Sequence, residues 1–513
     1  VSSKLAAAWR HLRASGAARN AAASYFAFVS NAVCGLISIP VTVEYLDKRE
    51  IGLWAVVNTF VSYLLWLDLG VGDATGRKMA EAIAHDDPRE VNRSWTTSVV
   101  VLAIQGMVMF LVALGVSPWL GTSLRLNDHL AGEARFMFLG AVAFSALGMP
   151  IRAYPGILLA QERFHWVPVA QGFMPWIQLA IFAALLQRGL GVRSFLPAVV
   201  GSWLAGWTLL VVQAHRGRER FALDPRGLTR ERLASLFLYS GSVAINGIAA
   251  TVMQTLPSLM LARMGGLGTV PVYTFSGTGP GMLRTLTART AHAFYPNLQR
   301  MYVLRERERF ARKYQAVSLL AVGMSLVAAG AIVAGNRSLV EWLADADFFA
   351  GPLANGWLAV SVILLSLLAS FTDLLQISGS MGRIAILSLL QLAGGVAFTW
   401  LGFRWAGLAG LVAAVALVPI SFQGLYALFR GAANCGLQPR QLAGSIFMLA
   451  ATGCVATIAL SWWLSTLAIE ADTVTLLRRT TRLPTPAEWA AGLAVALPGA
   501  AVMARQVSRL RWL

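Results

Sequence analysis

The sequence predicts an all-α fold that crosses a membrane many times, on three observations. Of 513 residues, 57% are hydrophobic and only 13% charged, where soluble proteins carry about 25% charged residues, and the mean hydropathy is +0.62. Apolar runs long enough for a spanning helix, about 20 residues, recur from one end to the other. The basic residues behind the net charge of +18 gather in the short loops between those runs.

Fourteen spans follow, near 21–43, 51–73, 95–118, 134–159, 167–187, 195–214, 233–262, 268–292, 314–335, 353–376, 384–402, 405–429, 442–467 and 486–504. They take up more than half the chain and leave no room for a sizeable soluble domain. Their even number puts both termini on one side. With the N-terminus cytoplasmic, the cytoplasmic tails and loops hold 27 of the 42 Lys and Arg residues, against 12 on the opposite side. The positive-inside rule therefore accounts for the basic excess without a nucleic-acid partner.

Residues 1–20 form a basic segment with no apolar core before Ala21, so the first span reads as an uncleaved signal-anchor, not a cleavable signal peptide. Span 2 runs into Asp68, Asp73, Arg77 and Lys78 before its apolar run has ended. Each such charge costs about 2.5–3.5 kcal/mol at mid-membrane and needs a partner, a water-filled cavity or the membrane surface. Prolines interrupt many spans, among them Pro40, Pro175, Pro280 and Pro498; in a bundle, neighbours or cavity water satisfy the backbone groups they free. Cys34, Cys435 and Cys454 give no disulfide framework and read as small hydrophobes.

A shift of 219 residues aligns the two halves: Trp54 falls on Tyr273, Thr59 on Thr278, Trp95 on Tyr314, and the loop 74–94 on 293–313. Six spans intervene, so matched helices keep their direction across the membrane. Parallel repeats of this kind are typical of alternating-access transporters. The expected organisation is an N-lobe over 21–214, a basic cytoplasmic linker at 215–232 and a C-lobe over 233–429; 430–513, with spans 13 and 14 and a basic tail, form an appendage outside the repeat.

The opening YFAFVSNAVCGLISIPVTVEYLDKREIGLW, the second-span run LDLGVGDATGRKMAEA, the DDPREVNRSW loop, the QERF turn after span 4 and the GSMGR turn after span 10 resemble those of Wzx-like prokaryotic polysaccharide flippases. These belong to the multidrug/oligosaccharidyl-lipid/polysaccharide (MOP) exporter superfamily. The resemblance implies two six-helix lobes around a central cavity, with extra C-terminal helices. It also implies residence in the bacterial inner membrane and a lipid-linked oligosaccharide diphosphate as cargo, moved from the cytoplasmic to the outer leaflet. Membrane lipids and other polysaccharide-assembly proteins would be partners, with surface polysaccharide such as O-antigen, lipopolysaccharide or exopolysaccharide as the product.

A diphosphate headgroup calls for fixed positive charge, guanidinium forks and hydroxyls. Arg284 and Arg289 in span 8 supply these with Thr285, Thr287 and Thr290. The two arginines are about 140° apart on a helix, and His292 shares the face of Arg289. Arg152 in span 4, with Arg77 and Lys78 past span 2, completes the substrate-binding set. For each the alternative is snorkelling to lipid headgroups or an ion pair. Asp68, Asp73 and Asp373 are the counter-charges, either static partners of arginine or carriers of a coupling H⁺ or Na⁺. No cofactor is expected.

Rival readings stay open. A peptidoglycan lipid-precursor flippase or a multidrug exporter shares the superfamily. A membrane glycosyltransferase or ligase has only Glu44 and Asp47 in a first outside loop of about seven residues. No Walker A or HExxH sequence is present.

Overall fold

The computed structural model describes residues 16–65, 75, 78–79, 81–83, 85, 87–123, 126, 128–217, 221–224, 229, 251–253, 255–292, 294–378, 384–437, 443–472 and 485–510. Asp68, Asp73 and Arg77 lie outside this set. Every regular element among the described residues is helical, the arrangement that satisfies each backbone group within its own segment in lipid. The chain divides into two compact units, Val1–Thr251 with Gly266–Gly268, and Val252–Gly265 with Thr269–Leu513.

Unit 1 contains α1 (Gly16–Tyr45), α2 (Lys48–Leu65), α3 (Pro88–Val116), α4 (Asp128–Gly148), α5 (Trp166–Gln187) and α6 (Phe195–His215). Local chemistry sets the helix ends. Asp47 and Glu50 cap the start of α2 reciprocally, each carboxylate accepting the other residue's backbone N–H at 2.8 and 3.1 Å. Asp47, one of two acidic residues on which a glycosyltransferase reading would rest, is thus occupied in a helix cap. Asp87 caps α3 by accepting from the N–H groups of Arg89 and Glu90, with Pro88 in the first turn.

The QERF turn closes two helices. Glu162 adopts a left-handed φ of 58° and Arg163 N–H returns to Leu158 O at 2.7 Å, ending the helix at Tyr154–Ala160. Its side chains then reach the end of α6: Arg163 donates to the Gln213 carbonyl at 2.6 Å and Gln161 to the Ala214 carbonyl at 3.2 Å, two of the acceptors that a helix C-terminus leaves open. The side chains of Gln161 and Arg163 are therefore structural.

Unit 2 contains α7 (Thr269–Ser276), α8 (Thr278–His292), α9 (Tyr295–Val303), α10 (Arg307–Leu343), α11 (Pro352–Ile377), α12 (Ile384–Pro419), α13 (Leu425–Asn434), α14 (Met448–Asp472) and α15 (Pro486–Leu510). α12 holds two spans. Its helix breaks at Ala406 and at Gly407, where φ is +56°, and the chain folds back so closely that a Cβ on Gly402 would overlap the Gly410 carbonyl oxygen. Helix boundaries recur across the repeat. The starts of α3 and α10, Pro88 and Arg307, lie 219 residues apart, as do the ends of α6 and α13, His215 and Asn434.

The two C-terminal helices are built into unit 2 and do not hang from it. α15 lies along α10 through paired glycines: a Cβ on Gly330 would overlap the Gly492 carbonyl oxygen, and one on Gly499 would overlap that of Gly323. Small residues of this kind let helix backbones approach closely in lipid. α14 meets α11 where Gly356 faces Ser461. Ala450, Ala491 and Val495 join a core with Ile332, Ile363 and Leu367. Gly330→Leu should therefore destabilise unit 2 by about 1–3 kcal/mol, the usual cost of overpacking. Gly335→Leu, on the same helix with open space around its Cβ, should change little. Unfolding midpoints of the two purified variants check this.

Candidate functional site

Span 8 divides at Ser276–Gly277 into α7 and α8, and the cause is Pro280. A proline at this position has no N–H for the carbonyl four residues back, Ser276 O, and its ring crowds that carbonyl. α10 supplies the missing donor: Asn336 Nδ2 donates to Ser276 O at 2.9 Å. It also donates to Asn355 Oδ1 at 2.8 Å, and Asn355 in turn donates to the Ile332 carbonyl at 3.1 Å. Both asparagines are buried, at 3% and 4% exposure. Unit 1 repeats the device at another proline. Pro175 in α5 frees Gln171 O, and Asn31 on α1 donates to it at 3.1 Å. A neighbouring helix thus supplies the donor that Pro175 and Pro280 each withdraw.

This arrangement makes a coupled prediction. Asn336→Leu should destabilise by about 1 kcal/mol, the usual scale for a side-chain hydrogen bond between membrane helices. In a Pro280→Ala background, where residue 280 regains its N–H for Ser276 O, the loss should shrink. A double-mutant cycle on unfolding midpoints measures the difference; equal losses in the two backgrounds would remove the proposed role of Asn336.

Below the break, α8 presents a polar face. Thr285 donates to Gly281 O at 2.9 Å and Thr287 to Arg284 O at 2.8 Å, while the Thr287 and Ser366 hydroxyls lie 3.3 Å apart, joining α8 to α11. Arg284 is half-buried and about 12 Å along the helix from His292 at the 1.5 Å rise. Its charge bears on the Tyr273 hydroxyl. Its side chain makes no ion pair or hydrogen bond with another described residue. A guanidinium at this depth without a carboxylate is costly, and it leaves five donors for a ligand.

The other sequence-derived residues are dispersed. Arg289 and His292 end α8, with side chains outside the described set. Asp373 is 9% exposed on α11, where it acts on Tyr295 and Tyr314; Tyr314 donates to the Ser370 carbonyl at 2.7 Å. With Thr287 level with Ser366, helix rise puts Asp373 about 15 Å along the axis from Arg284. Asp373 and Arg284 are not an ion pair. Arg152 is half-buried in unit 1, in the 3₁₀ turn Met149–Ala153. Lys78 is exposed and lines a cavity of about 420 Å³ with Glu81, His85, Asp87, Glu90 and Ser94.

Aromatic residues of unit 1 are engaged in packing. Trp54 stacks on Phe195 at 4.5 Å between centroids, and Tyr154 meets Trp95 edge-on at 4.9 Å. Sequence reasoning missed Asn336 and Asn355. The signal was available: a proline inside a span requires a donor for the carbonyl four residues earlier, and asparagines in neighbouring spans are the natural suppliers.

Residues 17–301, more than half of the chain, match the polysaccharide biosynthesis protein family. No curated protein sequence matches significantly. Among solved structures, the chain resembles an inward-facing multidrug resistance MATE transporter of the MOP superfamily, with TM-score 0.67 and 14% identity over 79% of this chain and 95% of that one. It resembles the lipid II flippase MurJ in an inward closed conformation with TM-score 0.65 and 10% identity, over 96% and 98% of the two chains. A third similar structure is a MOP superfamily transporter from Pyrococcus furiosus whose binding pocket is described as reversed in polarity, with TM-score 0.56 and 16% identity over 82% and 97%. At these identities the likeness is one of fold. By its family match the chain belongs to the polysaccharide biosynthesis protein family, and its multi-helix fold is similar to that of solved MOP superfamily transporters.

Proposed function

We propose that the protein is a flippase that carries a polyprenyl-diphosphate-linked oligosaccharide from the cytoplasmic to the outer leaflet of the bacterial inner membrane, by alternating access, for surface polysaccharide assembly. The observation that carries this reading is Arg284, held inside the polar stretch of span 8 without a carboxylate among the described residues. A fixed, unneutralised guanidinium suits an anionic headgroup and repels a cationic drug. Arg289, His292 and Arg152 extend the positive lining in this reading, and Arg77 and Lys78 receive the headgroup at the cytoplasmic side. Asp68, Asp73 and Asp373 serve as counter-charges or as the seat of H⁺ or Na⁺ coupling. Both termini are cytoplasmic, six helices form each lobe, and spans 13 and 14 complete the second.

Chain length favours a lipid cargo over a drug. The lipid II flippase aligns over 96% of this chain, whereas the MATE transporter aligns over 79%. The peptidoglycan precursor is itself a lipid diphosphate, so it shares the charge logic and differs in the sugar.

Thermal unfolding of the purified protein with added ligand separates these readings. A polyprenyl diphosphate bearing an oligosaccharide should raise the midpoint more than the peptidoglycan precursor does, and tetraphenylphosphonium should not raise it. Stabilisation by tetraphenylphosphonium alone would favour the drug-exporter reading. Equal stabilisation by both lipids would leave the diphosphate, not the sugar, as the recognised group.

A further inference from the structure

The repeat provides an internal control for a second site. In unit 1, the cavity beside the start of α3 is acidic, lined by Glu81, Asp87 and Glu90 with Lys78 and His85, and the Asp87 carboxylate closes the helix end. The matching helix start in unit 2, 219 residues on, is that of α10. Beside it lies a cavity of about 440 Å³ lined by Tyr302, Arg305, Arg307, Phe310, Asn434 and Cys435, with Met301 and Val303, and no carboxylate is among the described residues that line it. Glu306, the counterpart of Asp87, does not cap α10; its carboxylate accepts from Arg309 at 3.2 Å instead.

The two arginines of the lining are uncommitted. Neither Arg305 nor Arg307 forms an ion pair or side-chain hydrogen bond with a described residue. Arg305 ends α9 with φ at 58°, one of two non-glycine residues with positive φ among those described. This conformation disfavours any residue with a Cβ, so glycine would close the same turn more easily, without the guanidinium. Opposite, Gly436, itself at φ 68°, leaves room beside the Arg307 guanidinium, whose Nε lies 3.5 Å from where a Cβ would stand.

The cavity also lies at headgroup depth. α10 has 37 residues, about 55 Å at the helical rise, against a hydrocarbon core of about 30 Å. Its charged start, RERFARK, therefore emerges from the apolar layer.

We infer that this cavity binds a phosphate group at the membrane surface, held between the Arg305 and Arg307 guanidiniums with the Tyr302 hydroxyl and Asn434 amide alongside. Two guanidinium forks on a wall without carboxylates are the arrangement that recognises phosphate oxygens. The phosphate comes either from an anionic lipid headgroup or from a soluble phosphate compound. The inference does not depend on the cargo proposed above, because it concerns a different set of side chains.

Titration calorimetry on the full-length protein in neutral detergent tests it, with inorganic pyrophosphate, dioctanoyl phosphatidylglycerol and dioctanoyl phosphatidylcholine as probes. At least one of the two anionic probes should bind, and phosphatidylcholine should not. Arg305→Gly combined with Arg307→Gln should weaken that binding at least tenfold, while Arg188→Gln, at an exposed arginine of unit 1, should leave it unchanged. The glycine relieves the positive φ, so the variant should keep its helical circular dichroism, and Arg307→Lys alone, which keeps the charge but loses the fork, should fall between wild type and the double variant. Binding of phosphatidylglycerol but not pyrophosphate would assign a lipid headgroup; the converse would assign a soluble phosphate. Absence of binding by both anions, or equal binding by wild type and the double variant, would overturn the inference. Because the loss is read on Arg305 and Arg307, and any binding at Arg284 is common to wild type and the double variant, these outcomes are independent of whether the flippase reading survives.

Discussion

A potential of 100 mV, negative on the cytoplasmic face, should bias the cargo lipid toward the opposite leaflet by about a thousandfold. The figure comes from charge alone. Each elementary charge crossing such a potential gains about 2.3 kcal/mol, so a diphosphate carrying about two charges gains roughly 4–5 kcal/mol, and about 1.4 kcal/mol is a factor of ten. In this account the protein's arginines do not drive movement; they lower the barrier for a polar headgroup in the midplane, and the membrane potential sets the direction. Valinomycin-clamped proteoliposomes make the measurement. A leaflet ratio indifferent to potential but responsive to a pH or sodium gradient would show that the headgroup crosses neutralised, and would move the driving role to the acidic residues.

Arg284→Ala should slow cargo movement by roughly a hundredfold, on the basis of about 1.5–3 kcal/mol for a hydrogen bond to a charged group. Arg284→Lys keeps the charge but loses the planar fork and should fall between the two. Stability should move in the opposite sense, because removing a half-buried cation with no carboxylate partner among the described residues relieves a desolvation cost. A variant that is at least as stable as wild type and yet fails to transport distinguishes a ligand-binding arginine from a structural one. If Arg284 instead snorkelled to phospholipid headgroups, alanine there would leave transport nearly intact.

Much of the fold was legible in the sequence because lipid allows so few solutions. Hydropathy located the apolar spans, and the 219-residue shift located their recurrence. It placed the starts of spans 3 and 9 at 95 and 314, seven residues late in each case, since α3 and α10 begin at Pro88 and Arg307. Apolar runs report what lipid covers, whereas a helix begins where its first turn begins, here just after Asp87, which caps α3, and just after Glu306, which precedes α10 without capping it.

The C-terminal helices lay outside the repeat, so the sequence offered no reason to see them as core. Their contact is written in glycines, Gly323 and Gly330 against Gly499 and Gly492, and such small residues carry no hydropathy signal. Asn336 was silent for a related reason: an isolated amide in an apolar run has meaning only beside the carbonyl that Pro280 frees. For the site, composition and family resemblance drew attention to Arg284 but could not tell whether Asp373 neutralised it. The answer depends on axial level, which Thr287 and Ser366 fix.

The central claim is that the protein moves a lipid-linked anion between leaflets, and direct observation of that movement tests it best. The protein is reconstituted into vesicles containing a fluorescent polyprenyl-diphosphate oligosaccharide, and the fraction open to membrane-impermeant dithionite is followed with time. The account predicts bleaching beyond the half expected of protein-free vesicles, at a rate that rises with wild-type protein and falls with Arg284→Ala. Bleaching that stops at half with wild-type protein present would contradict it.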